Sequence, residues 1–211
     1  MKRGIIPAIL LWLVLVVCRP ALGAGVVQSD ALMICSIIIN EMTEGKIGND
    51  RAREISLAIA QAGNKYFGRV TCGDMWLYMA IVHVESGFRN NIINGQNCRG
   101  MFQVHAPSWA RKFGLRYSDL LDLQINADCG VRVFKYYLDH YGRLVPALSA
   151  YNSDHPWAAI GYARAVLGTR RRIRKRYIEL YKAMKDGKMI ASNPSPSRLP
   201  QTDSPDTLPS P

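Results

Sequence analysis

Glu85 is the residue of this chain whose surroundings invite chemistry. It closes a run from Met75 to Val84 in which nearly every side chain is apolar, and Ser86 and Gly87 follow it directly. A helix that is apolar all round is a buried one. An ionised carboxylate is expensive to bury, so such a Glu is paired, protonated or kept for chemistry. A buried carboxyl with a raised pKa suits general acid work, giving up a proton and then taking one back. Taken by itself, a helix-end Glu that reaches solvent as the helix leaves the core would read the same way. Two other short pieces belong with it, Gly100-Met101-Phe102-Gln103 and Ala150-Tyr151-Asn152.

The elements that must position these residues read as helices. Thr71 and Asp74 have the spacing of a capping box, which starts a helix at Cys72. Upstream, Gln28 to Met42 can be helical, with Ser29 or Asp30 as cap and Gly45 as stop, although the β-branched Ile37-Ile38-Ile39 run leaves a strand open. Arg51 to Phe67 reads as an amphipathic helix with Ile55, Ala58, Ile59 and Ala62 on one side. Arg89 to Arg99, polar and rich in Asn and Gly, reads as a loop over a surface groove. A short helix is expected around Pro107 to Phe113, then a long helical region from Ser118 to Tyr141, broken near Leu123. Its core-facing stripe takes Ile125, Cys129, Val133, one of Tyr136 and Tyr137, and one of His140 and Tyr141. Short helices at Val145–Tyr151 and His155–Leu167 precede a basic helix from Arg170 to Lys185. From Ile190 onward six prolines and no apolar periodicity predict disorder. The fold class is all-α, with little or no sheet.

Composition bounds the rest. A length of 211 residues suits one globular domain with trimmings. Lys2 and Arg3, the apolar run Ile5 to Val17 and the small residues Ala21-Leu22-Gly23 have the form of a secretory signal, with cleavage expected near Gly23 or Ala24. Export leaves Cys35, Cys72, Cys98 and Cys129, an even number that predicts up to two disulfides, with the pairing open. No CxxC pair or clustered His suggests zinc, and no motif calls for a metal or another cofactor. The net charge of +11 is unevenly placed: residues 164–188 hold ten basic and two acidic side chains, while residues 25–163 hold 13 and 12. The domain proper is thus near neutral, which argues against reading the chain as a nucleic-acid binder from its charge.

Glu85-Ser86-Gly87-Phe88, Gly100 to Gln103, the Asp122, Asn126 and Gly130 spacing, Ala147 to Asn152 and Tyr162 together carry a resemblance. Over roughly residues 70–167 the chain resembles the lytic transglycosylase family of the goose-type lysozyme superfamily, especially the small enzymes of conjugation and specialised secretion systems. The resemblance implies a lysozyme-like helical domain with a substrate groove, acting on peptidoglycan glycan strands. Composition and the resemblance together divide the chain into a signal peptide at 1–24, an N-terminal helical part at 25–69, a catalytic core at 70–167 that alone carries the resemblance, a basic helix at 168–189 and a tail at 190–211.

The same resemblance implies roles. Glu85 would be the single acid and base, without the second carboxylate that ordinary glycoside hydrolases use, and the product would be a 1,6-anhydromuramoyl end. Ser86 would fix Glu85 or touch sugar, Met101 and Phe102 would form an apolar groove wall, and Gln103 would position substrate or water. Tyr151 and Asn152 would line the groove, and Tyr162 would orient Glu85. Two departures stand out: Ser153-Asp154 where the family usually has Ala-Gly, and Met101-Phe102 where Leu-Met is commoner. The expected location is the periplasm or cell envelope. The expected partners are glycan strands, a secretion or conjugation complex, and an anionic wall polymer or lipid surface at the basic helix, with nucleic acid disfavoured.

Overall fold

The Glu-bearing run folds into helix α3 (Cys72–Ser86) of a computed structural model that describes residues 24–68 and 71–187. Thr71 caps it reciprocally with Asp74, and Gly87 ends it in the left-handed conformation with its N–H on the His83 carbonyl. Met75 and every residue from Leu77 to Val82 are buried, so the helix runs through the core rather than along it. The signal-like segment and the Pro-rich tail lie outside the described residues.

Helix α1 (Ala24–Met42) settles the strand alternative: Ile34, Cys35, Ile38 and Ile39 are buried at helical spacing. α1 packs on α2 (Asn49–Phe67), whose buried face carries Ile55, Ala58, Ile59 and Ala62 as the periodicity predicts. α2 in turn packs on α5 (Leu123–Tyr141), and α6 (Leu144–Ser153) closes over α5. The stop before α5 falls at Asp122, whose carboxylate accepts the Ile125 N–H at 2.9 Å and follows a 3-10 turn over Tyr117–Leu121. Of the paired choices on its stripe, Tyr137 is buried and Tyr141 half-buried, while Tyr136 and His140 face out.

Two expectations are corrected here. The separate helices at His155–Leu167 and Arg170–Lys185 are one helix, α7 (Ile160–Lys185). Its buried stripe of Ala163, Val166, Thr169, Ile173, Tyr177 and Leu180 runs through Gly168 without interruption, and packing on α3 outweighs the roughly 1 kcal/mol that a mid-helix glycine costs. The loop after α3 ends in a small antiparallel ladder, with Cys98 opposite His105 and Arg99 opposite Val104, strands β1 (Cys98–Arg99) and β2 (Val104–His105). β2 runs directly into the short helix α4 (Ala106–Trp109).

Candidate active site

The spacing of Asp122, Asn126 and Gly130 has a structural purpose. Asn126 is fully buried on α5, and its side chain clamps the turn between the two strands: Oδ1 accepts the Phe102 N–H at 2.8 Å, while Nδ2 donates to the carbonyls of Arg99 and Leu120, each at 2.8 Å. Gly100 is required at that turn, because its φ is +72° and a Cβ would lie 2.1 Å from Asn126 Nδ2. One turn along α5, Gly130 makes room for the Phe102 ring, which would sit 2.2 Å from any Cβ there. Together they fix the backbone that presents Gln103 to the groove.

The groove holds about 490 Å³ and is bordered by Glu85, Gln103, Tyr151, Asn152 and the loop residues Asn94, Gln96 and Cys98. Glu85 is half-buried at the end of α3, with its carboxyl opening into this space. Tyr162 on α7 donates from its hydroxyl to Glu85 Oε1 at 2.6 Å. Burial raises the Glu85 carboxyl to about 7, against the Tyr162 hydrogen bond, which favours the charged form. Burial, with the nearby Glu85 carboxylate, keeps the Tyr162 phenol well above its ordinary range, so it acts as a donor. Tyr151 borders the groove and donates to the Phe102 carbonyl at 2.8 Å. Gln103, at φ +46°, turns its amide back to donate to the Gly100 carbonyl at 2.8 Å.

Residues 73–164 match the family model of the transglycosylase SLT domain. The matched span runs from α3 into the first turn of α7, under half of the 211 residues, and it holds Glu85, Gln103, Tyr151, Asn152 and Tyr162. Comparison with curated proteins gave no match, and neither did comparison with solved structures.

The matched segment does not bring every predicted residue to the groove. The Ser86 hydroxyl is buried and donates to the Val82 carbonyl at 3.0 Å, so it belongs to the helix rather than to the opening. Met101 and Phe102 are fully buried and form core behind the groove, not its exposed wall, because the Gly130 notch draws Phe102 inward. All four cysteines are free thiols, in place of the expected disulfides. Cys72 instead donates to the Tyr177 hydroxyl at 3.4 Å, Cys35 and Cys129 are buried, and Cys98 borders the groove. Burial pushes the Cys35 and Cys129 thiols up to about 12, which leaves them unreactive.

Other groove residues were given no site role from the sequence. Asn94 accepts the N–H groups of Gln96 at 3.0 Å and Cys98 at 2.9 Å, a turn that holds the loop at the rim. His105 and Trp109 border the groove from β2 and α4. Asp154 is the most consequential: it ends α6 at φ +57°, takes the left-handed conformation that a Gly would supply, and so keeps the loop turn. Its carboxylate accepts from the Tyr137 hydroxyl and borders the same groove as Glu85. The departure from the family pattern at this position was the available signal.

Proposed function

We propose that the chain is a peptidoglycan lytic transglycosylase in which Glu85 serves as both acid and base. The observation that carries this reading is a half-buried carboxyl, raised to about 7, that receives a hydrogen bond from Tyr162 and opens into a groove. The likeness of residues 73–164 to the transglycosylase SLT domain supports the peptidoglycan substrate.

Protonated Glu85 donates to the oxygen of the MurNAc-β-1,4-GlcNAc bond, and the bond from that oxygen to the muramic anomeric carbon breaks. The substrate's own N-acetyl group stabilises the charge left on that carbon. The muramic 6-hydroxyl then bonds to it and gives its proton to the Glu85 carboxylate, which restores the acid and closes the 1,6-anhydro ring. A pKa near the working pH suits a group that must do both. Tyr162 favours the carboxylate stage; Gln103 and Asn152 border the groove, which supports a role for Gln103 in positioning substrate or water and for Asn152 in holding an N-acetyl or peptide group.

One observation favours a second reading. Asp154 is a second carboxylate at the groove, and a paired acid would permit hydrolysis by an activated water. Mass analysis of the ends released from peptidoglycan separates the two. Anhydromuramoyl ends are expected; reducing muramic ends alone would replace the transglycosylase with a hydrolytic lysozyme. Wall binding without any release would leave a non-catalytic assembly protein.

The signal-like N-terminus supports export to the periplasm or envelope, where local opening of the wall would serve a transport or conjugation apparatus. On α7 the side chains of Arg170, Arg171 and Arg174 border a depression beside Trp76, which supports contact with an anionic wall polymer or lipid surface.

A further inference from the structure

Arg171, Arg174, Ile178, Tyr181 and Lys185 fall within about 40° of one line along α7 at the turn of an α-helix. All five are exposed, and the apolar pair is open to water over 37% of Ile178 and 41% of Tyr181. Toward the start of α7 this stripe runs into a depression of about 530 Å³, walled by Trp76 of α3 and Leu167 and rimmed by Arg170, Arg171 and Arg174. Arg170 is fixed there by donating to the Gly73 carbonyl at 3.2 Å. Glu179, the one acidic side chain of α7, lies about a third of a turn away from the stripe and is paired with Arg176 at 3.2 Å. Arg176 in turn faces Glu41 of α1. Among the described residues Arg171 and Arg174 enter no ion pair.

We infer that this face of α7 rests on an anionic phospholipid surface, with the depression at its end seating a headgroup phosphate. The inference deepens the anionic-surface contact proposed above; it depends on export but not on Glu85. An acid-free row of cations is complementary to a negative surface. Charge alone would suit a soluble polyanion equally well. What selects lipid is the apolar surface set among the cations: Ile178 and Tyr181 along the stripe, Trp76 and Leu167 in the depression. A helix face of that composition lies in the plane of the membrane interface, where Trp and Tyr rings are favoured. Guanidinium forks are matched to phosphate oxygens, so the three-Arg rim suits a headgroup. No described helix is long and apolar enough to cross a membrane, so the contact is peripheral. The depression shares no lining residue with the Glu85 groove, and lipid and glycan therefore occupy separate surfaces. The contact would confine the protein to the part of the wall nearest the membrane.

The test is co-sedimentation of the exported protein, its mass confirming loss of the signal-like segment, with vesicles. Vesicles of phosphatidylglycerol and phosphatidylethanolamine should carry the protein down; vesicles of phosphatidylcholine alone should not. Arg171→Ala with Arg174→Ala should weaken binding about 30-fold, at about fivefold for each basic side chain near an anionic surface. Arg171→Lys with Arg174→Lys should keep most of it. Ile178→Ser with Tyr181→Ser should weaken binding several-fold without any change of charge, and circular dichroism should show every variant folded. Binding that survives loss of both arginines would overturn the inference. Undiminished binding by the Ile178 and Tyr181 variant, with equal affinity for soluble polyphosphate, would overturn it in favour of an anionic polymer. Muropeptide release without vesicles is scored separately and should be the same in all these variants. Vesicle binding without release would remove the enzyme and leave the lipid contact; release without vesicle binding would do the reverse.

Discussion

Glu85 and Arg176 carry their charges under opposite conditions. Arg176, on the outer face of α7, makes two hydrogen bonds to Glu41 of α1 at 2.7 and 2.9 Å, with both side chains still more than two-fifths exposed. Water solvates this pair well, so neither charge is costly and neither is indispensable. Glu85 has one protein partner, little water, and a carboxyl raised by burial to about 7. The fold therefore bears a cost at Glu85 that it does not bear at the solvated Arg176–Glu41 pair. Charge in quantity marks the helix surface; charge at a cost marks the groove.

Glu85→Gln should give the largest change in function and an opposite change in stability. Release of muropeptides should fall by about 10²- to 10⁴-fold, the range for loss of an acid-base group. The Glu85 carboxyl is raised in the fold from 4.5 to about 7, so its contribution to stability is fully present below about pH 4.5 and lost as pH rises through 7. Glutamine cannot ionise and keeps that contribution. Urea unfolding at pH 8 should show the variant more stable, on the order of 2 kcal/mol because the open edge of the site trims the full burial value. A destabilised variant at pH 8 would remove the strain from Glu85.

Asn126→Ala should be the most damaging change that touches no substrate. It leaves the Phe102 N–H and the Arg99 and Leu120 carbonyls without their partner, at about 2–4 kcal/mol by denaturant unfolding. Tyr162→Phe should act on the chemistry rather than the fold. Without the donated hydrogen bond the carboxylate is less favoured and the Glu85 pKa rises further, so the alkaline limb of the pH–rate profile should move to higher pH. The rate at the optimum should fall about tenfold, as expected for one hydrogen bond to a charged group. A limb that stays in place would show that Tyr162 only packs. Arg176→Ala closes the series at less than about 1 kcal/mol, with added salt narrowing the gap to the unsubstituted protein.

These expectations draw unequally on sequence and structure. The capping box at Thr71 and Asp74, the apolar run that follows it and the stripe of α2 were legible because they rest on neighbours three and four residues apart. The Asp122, Asn126 and Gly130 pattern was visible as a spacing, but its purpose was not. Asn126 acts on a turn 24 residues upstream in the chain, at the Phe102 N–H. Met101 and Phe102 were misread as wall because apolar residues beside a groove look alike in sequence whether they face it or back it. α7 was divided because its continuity depends on packing against α3, not on its own composition.

The sequence by itself determined that this is a helical chain with a carboxyl stranded at the end of an apolar helix, since capping and periodicity are local properties. Tertiary structure alone decided what that carboxyl meets. Tyr162 reaches Glu85 across 77 residues and Tyr151 reaches Phe102 across 49, and no local rule specifies either meeting. It also turned Asp154 into the groove. The cost of burying Glu85 is written in its neighbours along the chain; its pKa and access to a ligand are set by side chains that folding brings from elsewhere.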